Sequence, residues 1–292
     1  MRKFRFERYE QRLLPALLHE TQNAPDTSRY DAILIDEAHD FKPEWFPCCV
    51  QALRLDPPGD LLLAVDGAQS LYGRPRSFTW KSVGINASGR SKRLGVNYRN
   101  TQEILALAWQ VAQAEQPDDE SETHVRIKPE KALRHGPMPV YRACRTEVEE
   151  QVVVAELIRS FKSLGFADTD IAVLYSRQGG TRIGNLVAAL RRTENIVWIS
   201  DTTNKLARDR WVATPGVRVC TIHSAKGLEF PAVILCAADQ MPAGSNDELS
   251  EANLLYVGLT RAMNHLAVTW TGQSTFTQRI EKSGRAEAHS PS

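Results

Sequence analysis

The chain has 292 residues, 42% of them apolar and 24% charged, with a formal net charge of +1. That length suits about two domains of an ordinary soluble globular protein, and the near-neutral charge confines any nucleic-acid footprint to a local patch. No apolar run approaches a membrane span, the N-terminal Met-Arg-Lys-Phe-Arg-Phe-Glu lacks a signal-peptide core, and the five cysteines form no C-x-x-C pair, so a cytoplasmic chain with buried free thiols and no zinc site is expected.

Residues 4–20 alternate at helical spacing, with Leu13, Leu14, Leu17 and Leu18 on one face. A loop over 23–28 leads into Tyr-Asp-Ala-Ile-Leu-Ile-Asp-Glu-Ala-His-Asp at Tyr30–Asp40. Ala32, Ile33, Leu34 and Ile35 read as a strand buried on both faces of a parallel sheet. Asp36 and Glu37 follow it at the carboxyl end, where open α/β sheets place ligands. Neighbouring side chains there point different ways. One carboxylate is then free for a hydrated Mg²⁺ and the other for a water, the Walker B arrangement of P-loop NTPases. The plain alternative is a buried strand ending in an N-cap Asp and first-turn acids.

The spacing next predicts a helix over 41–55, a turn at Asp56–Asp60, and a second buried strand over 61–65. In a parallel sheet the two strand ends lie side by side, which puts Gln69 where a phosphate served by Asp36 and Glu37 is within reach. Between Asp66 and Glu103 there is no acidic residue. Arg74, Arg76, Lys81, Arg90, Lys92, Arg93 and Arg99 fall there, interleaved with Tyr72, Phe78, Trp80 and Tyr98. Cations for a backbone and aromatic faces for bases are the composition of a single-strand-binding surface. The alternative is a solvated loop whose aromatics plug the core.

A helix over 101–114 is capped by Asn100 or Thr101, with Glu103 in its first turn. Strands are then expected at 140–143, 171–175, 196–199, 217–222, 232–236 and 266–270. Helices are expected at 146–164, closed by Gly165, at 183–192 and at 253–260. Strands alternating with helices imply a mostly parallel, doubly wound sheet. The tail beyond Lys282 has the composition of a disordered segment. Two late stretches carry chemistry. Thr221-Ile222-His223-Ser224-Ala225-Lys226-Gly227-Leu228-Glu229-Phe230 packs hydroxyls, a His, a Lys and a Gly into a tight connection suited to phosphate or sugar contact. Leu254-Leu255-Tyr256-Val257-Gly258-Leu259-Thr260-Arg261-Ala262 delivers one guanidinium at a helix end. Arginine is a bidentate partner for phosphate oxygens, though a helix C-terminus also favours a cation through its dipole.

Taken in order, D-E-A-H-D, V-D-G-A-Q-S-L-Y, L-G-V-N-Y-R-N-T, T-I-H-S-A-K-G-L-E-F and L-L-Y-V-G-L-T-R-A resemble motifs II to VI of UvrD/Rep-type superfamily 1 DNA helicases. The resemblance runs from about Tyr9 to Trp270. It implies an α/β, RecA-like P-loop NTPase fold, with ATP between two RecA-like domains and single-stranded DNA across them. It implies that Asp36 holds Mg²⁺, Glu37 activates water, Gln69 senses the γ-phosphate, and Tyr98 stacks on adenine. Arg99 and Arg261 are then arginine fingers. Gly227 and Glu229 belong to the nucleotide site, Glu229 on the ribose. Tyr72, Arg74, Arg76, Trp80, Thr221 and His223 face DNA.

The chain departs from that family in several ways. It contains no G-x-x-x-x-G-K-[ST] and no Gly-Lys dipeptide, so the loop that cradles phosphates is missing from it. His39 stands where motif II usually has Gln, Met263 follows motif VI where a basic residue is common, and 74–80 is not the usual W-R-G turn. The expected organisation is a truncated first RecA-like domain over 1–92, a complete second one over 93–275, and a disordered tail over 276–292. The short connection at 200–216 leaves out the extra domain that larger members insert. The expected activity is that of the C-terminal part of an ATP-dependent DNA helicase, silent as an ATPase on its own. The alternatives are a non-catalytic DNA- or protein-binding remnant, or a subunit completed by a separate chain carrying the P-loop half.

Overall fold

The computed structural model describes residues 15–38, 41–65, 78–92, 94–111, 129–176, 180–199, 211, 214–242 and 248–287. The chain divides into two compact units, with the break between Leu94 and Gly95. Among the described residues no helix is long and apolar enough to cross a membrane.

In the first unit, residues 15–23 are helical (α1). Strands β1 (Ala32–Ile35) and β2 (Asp60–Leu63) pair in parallel. A 3₁₀ turn at Pro43–Trp45 leads into α2 (Phe46–Gln51), shorter than the helix expected over 41–55. The register pairs Ile33 with Leu61 and Ile35 with Leu63 on one face, and Leu34 with Leu62 on the other. The first face packs on Phe46, Val83, Phe78 and Trp80. The second is open: Leu34 is 71% exposed and Leu62 61%. The sequence expectation of a strand buried on both faces is therefore corrected. Among the described residues one layer covers this two-stranded sheet, so alternate residues of the same apolar run meet opposite environments.

The second unit is built on a six-stranded sheet in the order β5-β10-β9-β6-β8-β7. Its strands are β5 (Val140–Ala143), β6 (Ile171–Tyr175), β7 (Ile196–Trp198), β8 (Val217–Thr221), β9 (Phe230–Leu235) and β10 (Ala262–Trp270). All adjacent pairs are parallel. Every residue of β6 and β8 is buried, as a parallel sheet covered on both faces requires. One face packs on α4 (Glu147–Ser163) and α5 (Thr181–Leu190) through Val154, Ile158, Phe161, Ile183 and Leu190. The other carries α3 (Gln102–Val111), α6 (Glu248–Leu259) and α7 (Thr275–Glu287).

Helix α4 starts where Thr146 accepts the N–H of Glu149 at 3.1 Å, with three acids in the first turn favoured by the dipole. Gly165 closes it in the left-handed conformation at φ +96°. Helix α7 corrects the expected disordered tail over 276–292. It is helical to Glu287, and Phe276 and Ile280, four residues apart on one face, are fully buried. A two-stranded parallel pair, β3 (Asn97–Thr101) with β4 (Ala132–Arg134), leads into α3. Neither strand is visible in the sequence pattern.

Candidate functional site

In the first unit, β1 delivers Asp36 and Glu37 at its carboxyl end. Asp36 is exposed, and its Oδ1 accepts the N–H of Glu37 at 2.8 Å. Glu37 is half-buried and holds φ +52°, a left-handed conformation uncommon for a non-glycine residue. The turn is pinned by Ala38, whose N–H donates to the Ala64 carbonyl beyond β2 at 2.9 Å. An acidic pair thus stands at the strand end with one carboxylate in solvent. Gln69, Tyr72, Arg74 and Arg76 lie outside the described residues.

Trp80, assigned to DNA by the resemblance, is half-buried. Its ring sits edge-to-face on Phe46 at 5.4 Å and on Phe78 at 5.7 Å. That aromatic cluster builds the core under the sheet. Lys81, Arg90 and Lys92 of the same acid-free stretch are exposed.

In the second unit, three segments far apart in sequence converge at the amino ends of β9 and β10. From β3, the Arg99 Nε donates to Glu229 Oε1 at 2.6 Å. From the end of α6, Arg261 donates through Nε to the Val257 carbonyl and through a terminal nitrogen to the Leu228 carbonyl, each at 3.1 Å. The two guanidiniums therefore bind consecutive residues of one loop. Phe230, the first residue of β9, donates its N–H to the Arg261 carbonyl at 3.0 Å. Gly227 turns that loop at φ +76°, where a Cβ-bearing residue would be strained. Arg261 is 1% exposed. Its side chain caps carbonyls that a helix end would otherwise leave open, so it is no surface cation. Tyr98 is 69% exposed, its ring turned to solvent beside this cluster.

Thr221 and His223 sit at the opposite, carboxyl end of β8. Thr221 is buried, bonded to the Ser224 hydroxyl at 2.9 Å and accepting the Ser224 N–H at 3.1 Å. Its hydroxyl caps the turn. His223 is exposed. Desolvation still lowers its pKa, with the Glu251 carboxylate opposing, which favours the neutral ring at pH 7. The structure brings together Tyr98, Arg99, Gly227, Glu229 and Arg261, and sets Thr221 and His223 apart from them.

Sequence reasoning missed the residues that hold this corner. Asn100, read as a helix cap, sends its amide to the Thr260 and Ala262 carbonyls at 2.8 and 2.6 Å. The cap is Thr101, whose hydroxyl accepts the Ile104 N–H at 3.4 Å. Arg134 donates to the Arg99 carbonyl at 2.8 Å and also bonds Asn264. The paired asparagines of N-Y-R-N were a usable signal; nothing in the sequence marked Arg134. Also missed was a buried network around Arg182, described below. No group of three or more metal-ligating side chains occurs among the described residues.

Residues 191–273 match the model of the UvrD-like helicase C-terminal domain. This stretch resembles that domain. It contains β7 to β10 and both late motifs, including Gly227, Glu229 and Arg261. The ATP-dependent DNA helicase UvrD2 of Mycobacterium tuberculosis is 42% identical over 65 residues, covering 19% of this chain and 9% of that protein. DNA helicase II of Escherichia coli is 37% identical over 91 residues, 29% of this chain and 12% of that protein. The aligned stretch is thus about a tenth of the length of these relatives. The C-terminal domain of a possible DNA helicase from Lactobacillus plantarum has 26% sequence identity and a TM-score of 0.45, covering 63% of this chain and 94% of that one.

Proposed function

We propose that the chain is the C-terminal portion of a UvrD-like, ATP-dependent DNA helicase or translocase, with its second unit serving as the second RecA-like domain. The observation that carries this is the convergence of Arg99, Glu229 and Arg261 from three distant segments, inside a unit whose 191–273 stretch matches the model of the UvrD-like helicase C-terminal domain. Two permanently charged guanidiniums held at one end of the sheet, Arg99 exposed and Arg261 buried behind it, suit a polyphosphate. Exposed Tyr98 is suited to stack on adenine, and Glu229 and Gly227 to line the ribose and phosphate side. In the first unit, exposed Asp36 fits a Mg²⁺ ligand and Glu37 a residue that orients the attacking water. Bound Mg²⁺ would supply neutralisation of phosphate charge. Gln69 is assigned to the γ-phosphate. Single-stranded DNA is assigned to His223 and to the exposed Lys81, Arg90 and Lys92, with Tyr72, Arg74 and Arg76.

Because the 292 residues contain no G-x-x-x-x-G-K-[ST], this chain does not turn over ATP alone. The Leu34 and Leu62 face of the first unit's sheet is open, and parallel strands are otherwise covered on both sides, so it offers a seat for a P-loop half, whether upstream in the same protein or in a separate chain. The test is ATP hydrolysis by the purified chain, with and without single-stranded DNA, beside Glu37→Gln. Turnover no higher than in the variant is expected; DNA-stimulated turnover that the variant loses would refute silence alone. In parallel, a labelled oligonucleotide is titrated at several salt concentrations. Affinity that falls with salt is expected, and no binding at low salt would overturn the DNA assignment.

A further inference from the structure

The backbones of the two arginines of the candidate site are joined by hydrogen bonds of a pair of asparagines. Asn100 is 2% exposed, and its single amide NH₂ donates to both carbonyls that flank Arg261, those of Thr260 and Ala262. Its Oδ1 accepts from the Asn97 amide at 3.0 Å. Asn97 Oδ1 in turn accepts the N–H groups of Arg99 and Asn100, each at 2.8 Å. Arg134 holds the Arg99 carbonyl from the other side. The ring closes through Arg99 on Glu229 and Phe230 on the Arg261 carbonyl. The carbonyls of Thr260, Arg261 and Ala262 are therefore all engaged, two of them by one side chain.

We infer that Asn100 is a positioning residue: with Asn97 it fixes the backbone of Arg261 relative to that of Arg99, so the two guanidiniums keep one spacing. The inference rests on the phosphate-facing reading of these arginines only for its purpose. The geometry itself is independent of any ligand. An amide is the side chain this needs, since two donors on one nitrogen meet two carbonyls while the oxygen accepts. Aspartate would set a carboxylate against two carbonyl oxygens, and alanine would leave both unserved.

The experiment uses the full chain without nucleotide and follows the Nε–H signals of Arg99 and Arg261 in ¹H–¹⁵N spectra. Each Nε–H is hydrogen-bonded, Arg99 to Glu229 and Arg261 to Val257, and so exchanges slowly. In Asn100→Ala the Nε–H exchange of both arginines is expected to rise at least tenfold, with the amide signals of β6 and β8 unmoved. Unchanged exchange at either arginine would overturn the inference, because that arginine would then hold its place without the asparagine. Asn97→Ala serves where Asn100→Ala fails to fold, since Asn97 is only half-buried. There the Arg99 Nε–H alone is expected to loosen, as Asn100 still grips the Arg261 peptide; equal loosening at both, or none, would refute the order of the linkage. No ligand enters this test, so its failure stays distinct from failure of the proposed ATP chemistry.

Discussion

Replacing Arg182 with Met tests the electrostatic centre of the second unit. Arg182 lies in the first turn of α5 and reaches the buried carboxylate of Glu150 and the half-buried one of Asp239. It donates to Glu150 Oε2 at 3.1 and 2.6 Å, and to Asp239 at 2.7 and 2.9 Å. The other Glu150 oxygen takes the Ala237 N–H at 2.9 Å and the Thr269 hydroxyl at 2.7 Å. Asp239 also takes the Thr271 N–H at 3.0 Å. Burial opposes the charge on Arg182, and the two carboxylates more than offset it, raising its pKa. Met preserves much of the volume and removes the cation. Breaking a buried pair from one side costs about 3–5 kcal/mol, and here two acids lose the same partner. At ~2–4 °C per kcal/mol for a unit of this size, the melting temperature should fall by roughly 6–20 °C. Relief comes only when a stranded carboxyl takes a proton. In the variant that group's folded pKa lies above its unfolded value, so the folded state binds more protons and the deficit shrinks as pH falls from 7 to 5. Urea unfolding followed by amide exchange in Ile171–Tyr175 reads this unit separately from the first. A loss under about 1 kcal/mol, or one that does not change with pH, would refute the reasoning. Replacing all three charges with apolar residues should not restore stability, because the Ala237 and Thr271 N–H groups would be left buried and unserved.

Gly258→Ala should destabilise by about 1–3 kcal/mol, because a Cβ there meets the fully buried Ile222 at 2.9 and 3.1 Å; unfolding in denaturant checks it, and a neutral result would mean that Ile222 can give way. Cys220 and Cys236 should resist iodoacetamide at pH 8 until the chain is unfolded, since burial pushes the Cys220 thiol up to about 12 and the Cys236 thiol well above its ordinary value; peptide mapping of labelled chain decides it. Asp239 should make the unit acid-labile. Burial raises its pKa, but Arg182 and the Thr271 N–H more than offset that and hold it below the usual value. Its contribution is thus present above the ordinary carboxylate range and lost as pH falls through and below about 4, which a urea series at pH 7, 4 and 3 would show as a falling midpoint.

The parallel sheet of the second unit was legible because its strands are short, mostly apolar runs between helical segments. Ile171–Tyr175 was read to the residue, and so was Val140–Ala143. Helix α4 carried its own punctuation in Thr146, three early acids and Gly165. What escaped lacked that signal. Strand β3 reads Asn-Tyr-Arg-Asn-Thr, with no apolar alternation; tertiary bonds from Asn100, not propensity, keep it extended. Helix α7 offers few apolar residues beyond Phe276 and Ile280, so its polar composition outweighed a four-residue spacing that was present all along. For β1 the run was seen and its burial was not, because a strand cannot announce how many layers will cover it.

The candidate site divides along a different line, between residues that folding consumes and residues it leaves over. Composition alone marks Trp80, Thr221, Tyr98 and His223 equally as contact residues. Packing then absorbs Trp80 into an aromatic cluster and Thr221 into a turn cap, while His223 and Tyr98 stay exposed. Tyr98 is the more informative of the two. It follows Asn97 on β3, and Leu133 follows the paired Ala132 on β4 just before the register shifts; the two are 69% and 64% exposed. An exposed aromatic–aliphatic pair gains little for the fold, and it lies one residue from Arg99, whose guanidinium folding has placed with care. Apolar surface that packing does not use, beside a cation that packing does hold, is the composition a base and its phosphates require. If that reading is right, Tyr98→Ala should leave the unfolding midpoint within about 0.5 kcal/mol of the parent while abolishing any shift that added ATP makes in it; a marked loss of stability would instead return Tyr98 to the core.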